Sequence, residues 1–144
     1  MKIYIDINVY SRKFDDQSQP RIELETLGLN LVLQLVFSGA VEVVSSTVLD
    51  YENSRNPLET KRDWIESCLK LAKFQVALDD AIIERGRELE QEGLKTIDAL
   101  HVACAEAAGC EYFLTCDKRL IRRYPGAMKI INPANFILEL TGEE

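Results

Sequence analysis

An α/β fold, with a mostly parallel sheet covered by helices on both faces, is the class this sequence predicts. Apolar bursts of strand length alternate with longer helical patterns along the whole chain, the signature of parallel strands joined by helical crossovers. The 144 residues contain no internal repeat, low-complexity tract or linker, which predicts a single domain over residues 1–144, long enough to bury a real core.

The opening MKIYIDINVY starts with an apolar strand, KIYID, that ends on Asp6, with Asn8 two residues later. A carboxylate at the end of a buried strand is costly unless a hydrogen-bonded turn or a metal ion compensates it. From about Arg21 to Ser38, Leu24, Leu27, Leu31 and Leu35 form a helical stripe that Gly39 closes. VEVVSS is the second strand, and TVLDYENSR a short helix broken before Pro57. ETKRDWIESCLKLAK is an amphipathic helix with Trp64, Leu69 and Leu71 near one side, and FQVAL a short strand or extended link. DDAIIERGRELEQEG is a polar helix ending on Gly93, and TIDALHVACAEAAG a less polar helix, rich in small residues, ending on Gly109. EYFLT is a strand, DKRLIRRY a short helix, MKII the last strand and ANFILEL a final helix after Pro133.

Hydrophobic residues make up 47% and charged residues 28%, as in ordinary globular proteins. Seventeen basic residues against 24 acidic ones leave a net charge of −7. That argues against a broad basic surface for non-specific nucleic-acid binding. It leaves nucleic acid open as a substrate, because metal ions invert the field around a carboxylate cluster. Cys68, Cys104, Cys110 and Cys116 form no CxxC pair, and His101 is the only histidine, which argues against a zinc site. The cysteines are expected to be buried thiols of a reducing cytosol. No signal peptide is visible, and the longest apolar run, LNLVLQLVF, is interrupted by Asn30 and Gln34 and is too short to span a bilayer. A cytoplasmic location is expected.

In open α/β sheets, ligands bind at the carboxyl ends of the parallel strands. Four acids are expected there: Asp6 after the first strand, Glu52 on the helix leaving the second, Asp98 in the first turn of its helix, and Asp117 directly after EYFLT. Each has a plain alternative. Asp6 with Asn8 makes an Asx turn, Asp117 an N-cap, Asp98 a first-turn acid behind a Thr96 cap, and Glu52 a solvated helix residue. Two details favour a shared site. Glu52 follows Val48 by four residues and Leu49 by three, so it lies on the inward face of its helix, with Asp50 facing solvent. Asp98 opens a helix whose next turns are nearly all apolar. Four converging carboxylates raise one another's pKa values, a conflict that hard divalent cations with oxygen ligands remove. Mg²⁺ or Mn²⁺ is the natural choice, able to activate a water for phosphodiester hydrolysis. On this reading metal charge, rather than a turn, compensates Asp6.

YIDINVY, SSTVLDYE, LKTIDALHVACAEAAGCEYFLTCDKRL and IINP together resemble the PIN-domain ribonucleases, and among them the VapC-type toxins of toxin–antitoxin pairs. The resemblance covers essentially the whole chain and is most specific from Thr96 to Leu120. It implies a three-layer α/β/α sandwich with a mostly parallel sheet of about five strands. It implies a catalytic, metal-binding quartet of Asp6, Glu52, Asp98 and Asp117, with Thr115 and Asn8 orienting the carboxylates; Ile7 stands where the family often has Thr or Ser. It further implies an Mg²⁺- or Mn²⁺-dependent endoribonuclease, an RNA substrate, a small antitoxin partner and a homodimer, for which the Arg21–Ser38 and Glu59–Lys73 helices are candidate faces.

Arg12, Lys95, Lys118 and Arg119 lie close in sequence to the acids as possible phosphate contacts, and His101, one turn after Asp98, reads as a buried structural histidine. A haloacid-dehalogenase-like phosphatase would need a second Asp where Asn8 stands. A stand-alone RNA-processing PIN nuclease and a non-catalytic PIN-fold binding module are the remaining alternatives.

Overall fold

The computed structural model describes residues 1–142. Five strands, β1 (Lys2–Ile5), β2 (Glu42–Ser46), β3 (Phe74–Val76), β4 (Tyr112–Leu114) and β5 (Lys129–Ile131), form one sheet in the order β3-β2-β1-β4-β5. All four pairings are parallel, with Ile3 opposite Val43 on one side and Tyr112 on the other. The chain therefore builds outward from β1 to β3, then crosses back to lay β4 on the other edge of β1. The gap between the ends of β1 and β4 is the topological switch point, where a parallel sheet opens a crevice.

The helices are α1 (Ile7–Ser11), α2 (Pro20–Ser38), α3 (Thr47–Ser54), α4 (Glu59–Leu69), α5 (Asp80–Gln91), α6 (Thr96–Ala107), α7 (Lys118–Arg123) and α8 (Pro133–Thr141). Alternation along the strands shows how they form layers. Tyr4 and Phe113 lie side by side on one face with stacked rings, 5.1 Å between centroids, and the Tyr4 hydroxyl meets His101 of α6. One residue away, Tyr112 points to the other face and meets Phe136 of α8 edge-on at 4.9 Å. With α6 on one face and α8 on the other, the expected three layers are present. Ile3, Tyr4, Ile5, Val44, Phe113 and Leu114 are buried at the centre.

Two glycines serve the packing of α2. A Cβ on Gly28 would meet the backbone nitrogen of Ala134 at 2.8 Å, so only glycine allows α2 to lie directly on the start of α8. Gly39, at φ 81°, takes the left-handed turn that ends α2. All four cysteines are free and buried. Burial pushes the Cys68 and Cys104 thiols up to about 11 and those of Cys110 and Cys116 to about 12, so they are unreactive core residues. Among the described residues, no helix is long and apolar enough to cross a membrane.

The expected elements are all found, with differences at their ends. The helix of Trp64 stops at Leu69, short of Lys73. The segment after Asp6, given no element from sequence, folds as α1 followed by a 3₁₀ turn, Arg12–Phe14. That extra turn carries Arg12 towards α2.

Candidate active site

Asp6 leaves β1 at the switch point, its amide hydrogen-bonded to the Leu114 carbonyl of β4 at 2.9 Å. Its side chain accepts from the backbone N–H of Ile7 at 2.8 Å and caps α1. The other carboxylate oxygen accepts from Thr115 Oγ1 at 2.9 Å and Asn8 Nδ2 at 3.2 Å. A turn does compensate this carboxylate, contrary to the expectation that metal charge alone would. The compensation is incomplete, because three neutral donors leave a formal charge that is only 4% exposed. Burial first, then the charges of Glu52 and Asp98, push the Asp6 carboxyl from its ordinary 3.8 up to about 6, against the opposing influence of His101 and the Thr115 hydrogen bond.

Asp117 follows β4 and caps α7, accepting from the N–H groups of Arg119 at 2.9 Å and Leu120 at 3.3 Å. Thr115 links the two strand-end acids: its hydroxyl donates to Asp6 and accepts the Asp117 N–H at 3.1 Å. Asn8 closes the ring, with Oδ1 accepting the Cys116 N–H at 3.0 Å. Asp98 lies in the first turn of α6 as expected, but the cap residue is Lys95, and Thr96 instead donates to Glu90. Asp98 is half-buried and shares a cleft with Asp117, Lys95, Arg119 and Arg123. Its carboxyl is raised by burial and by the Asp117 and Glu52 charges, against His101 and Lys95. Glu52 sits on the inner side of α3 while Asp50 is exposed, and its Oε1 is 2.8 Å from His101 Nε2.

The four expected acids thus form one electrostatically coupled set: Asp6 with Glu52 and Asp98, and Asp98 with Asp117. Among the described residues, none of the four is ion-paired with Lys or Arg. The ligand atoms of Asp6, Glu52 and His101 lie within 4.8 Å of one another. Asp98 and Asp117 lie outside that close group; the carboxylate oxygens of Asp6 and Glu52 are the hard donors in it that suit a divalent cation. Asp6 and Asp98 are raised by neighbouring acids, no Lys or Arg among the described residues is ion-paired to them, and one oxygen of Glu52 is left beside the one His101 holds.

Of the basic residues expected here, Lys95 and Arg119 line the cleft and Lys118 is exposed at the start of α7. Arg12 is committed elsewhere, with Nε on Glu25 at 2.8 Å and a terminal nitrogen on Asp15 at 3.0 Å. Sequence reasoning missed Arg123 in the cleft, Glu25 of α2 as the partner of Arg12, and the tyrosine under His101.

The sequence model of the PIN domain matches residues 3–126. A search of curated proteins finds no match. Among solved structures the chain is similar to FitAcB from Neisseria gonorrhoeae, at 16% identity and a TM-score of 0.62, covering 91% of this chain and 97% of that one. It is also similar to VapBC2 from Rickettsia felis bound to a promoter DNA fragment, at 17% identity and a TM-score of 0.59, covering 92% and 98%. DNA-bound VapBC from Salmonella typhimurium matches at 14% identity and a TM-score of 0.60, with the same coverage of 92% and 98%. At these identities the likeness is one of fold.

Proposed function

The chain belongs to the PIN-domain family, and from that premise we propose that it is an Mg²⁺- or Mn²⁺-dependent endoribonuclease, the toxin of a type II toxin–antitoxin pair. The observation that carries the reading is the coupled set of Asp6, Glu52, Asp98 and Asp117 at the switch point, with no Lys or Arg ion-paired to any of them among the described residues. In this reading Asp6, Asp98 and Asp117 would hold the metal directly, and Glu52 directly or through water. A divalent ion held by these acids would supply hydroxide at neutral pH and offset the charge that builds on the phosphate. Thr115 and Asn8 fix the Asp6 carboxylate. Lys95, Lys118 and Arg119 contact the RNA phosphates flanking the cut. Arg12 keeps its guanidinium on Glu25 and Asp15 and is left out of that set.

The proposal extends to an antitoxin partner, in keeping with the fold shared with the VapBC structures, and to a homodimer. Leu24, Leu27 and Phe37 stand exposed on α2, one of the two helices expected to supply a dimer face. Cleavage of single-stranded RNA with and without Mn²⁺ or Mg²⁺, comparing the wild type with Asp98→Asn, tests the reading. Metal-dependent cleavage lost in the variant supports it. Absence of both cleavage and metal binding would move the protein to a non-catalytic role. Cleavage with no small protein encoded beside the gene would leave a stand-alone ribonuclease.

A further inference from the structure

His101 is fully buried on α6, and both of its ring nitrogens are engaged. Nε2 lies 2.8 Å from Glu52 Oε1, and Nδ1 lies 2.6 Å from the Tyr4 hydroxyl. The Tyr4 hydroxyl lies 2.6 Å from Ser46 Oγ, which accepts the Leu49 N–H at 3.1 Å. An ionised carboxylate only accepts, so the proton between His101 and Glu52 belongs to Nε2. If the ring carries that one proton, Nδ1 is bare and needs a donor, and Tyr4 is the one in reach. The Tyr4 oxygen is free in turn to accept the Ser46 proton. One direction of donation, Ser46 to Tyr4 to His101 to Glu52, satisfies every group in the chain.

The arrangement is stiff. The Tyr4 ring stacks on Phe113 and leans against the His101 ring at 5.7 Å. Ser46 also caps α3, the helix that presents Glu52. Glu52, by contrast, is a long side chain, 35% exposed, that would otherwise turn freely in water. Placing three polar groups in an apolar core is costly unless each is paired. Here the pairs run in a line that ends on an acid of the site.

We propose that His101 is a positioning residue, its Nε2–H aiming the Glu52 carboxylate into the site and its tautomer fixed by the Tyr4 hydroxyl. This rests on the ribonuclease reading for its consequence, but not for its geometry. The rival is His101 as a metal ligand with Asp6 and Glu52. A ligand must present a bare Nε2, which requires the opposite tautomer.

His101 is the only histidine of the chain, so a long-range ¹H–¹⁵N spectrum of the tag-free, metal-free protein shows one imidazole. The proposal expects a protonated Nε2 and a bare Nδ1, a mixture of tautomers in Tyr4→Phe, and faster exchange of the Nε2 proton in Glu52→Ala. A bare Nε2, or protons on both nitrogens, overturns it. On RNA, His101→Leu should lower kcat about 10- to 100-fold with KM unchanged, and His101→Gln, which keeps a donor near the Nε2 position, should recover most of it. In a Glu52→Ala background His101→Leu should cost nothing further; a full additive loss would make His101 a folding residue only. If the wild type cleaves no RNA, the ribonuclease reading fails while the spectrum still decides the tautomer.

Discussion

Glu25 and Asp6 are both almost fully buried carboxylates, 1% and 4% exposed, and their surroundings are opposite. Glu25 accepts from Arg12 at 2.8 Å, Arg21 at 3.2 Å and the Asn132 amide. Arg21 continues to the Cys116 carbonyl, so this network ties α2 to the loops after β4 and β5. Asp6, reached through the same β4 loop, faces Thr115, Asn8 and a backbone N–H, with two more acids behind them. Burial does not separate the two sites; compensation does. A carboxylate between two guanidiniums has its countercharge and locks the loops. Asp6 and Asp98, raised by neighbouring acids and without such a countercharge, are where the proposed cation would act.

That contrast predicts unequal consequences of removing a charge. Asp98→Asn, or the same change at Asp117, should reduce metal-dependent RNA cleavage by about 10³-fold or more, as loss of one member of a catalytic unit does. Far-UV spectra should be unchanged, since neither side chain forms an ion pair among the described residues.

The second prediction concerns pH. The Asp6 carboxyl titrates near 6 in the folded, metal-free chain against about 3.8 unfolded, so the folded state binds the proton more tightly. Its contribution to stability is therefore greatest below pH 3.8 and is lost as pH rises through about 6. The difference is on the order of 3 kcal/mol. Denaturant midpoints measured in EDTA should carry this fall, and saturating Mn²⁺ should remove it. At Glu25 the expectation is structural. Glu25→Gln should destabilise the fold by about 2 kcal/mol, less than for a fully buried pair because Arg12 and Arg21 remain partly solvated. Mn²⁺ affinity measured by calorimetry should change little. Thr115→Val, which takes the donor from Asp6 and the acceptor from the Asp117 N–H, should weaken Mn²⁺ binding about tenfold.

The two regions were unequally legible. The placement of the four acids is legible because they stand at strand ends, at a helix start and on an apolar helix face, positions fixed by local pattern, and the parallel sheet then brings strand ends together. Glu25 looked like one more charge on a long helix. Its signal was present: Gly28, Leu29 and Val32, at three, four and seven residues on, are the buried stripe, and Glu25 begins it. Its partners Arg12 and Asn132 are 13 and 107 residues away, and no local pattern reports such pairings. The same holds for Tyr4, whose hydroxyl reaches residues 42 and 97 positions on. Asp6 shows a different limit. In the sequence, cap and acid cluster read as alternatives, while the structure has one Asp6 oxygen on the helix and the other on Thr115.

The most direct test of the central contrast is thermal unfolding of the wild type and Asp98→Asn, each in EDTA and in saturating Mn²⁺. If the acids are an uncompensated set awaiting a cation, the order must invert. The variant should be more stable than the wild type in EDTA, by about 1 kcal/mol, and less stable in Mn²⁺, where only the wild type gains fully from binding. A variant that is less stable in both, with no Mn²⁺-dependent gain in the wild type, would show that these carboxylates serve the fold as Glu25 does, and would contradict the account.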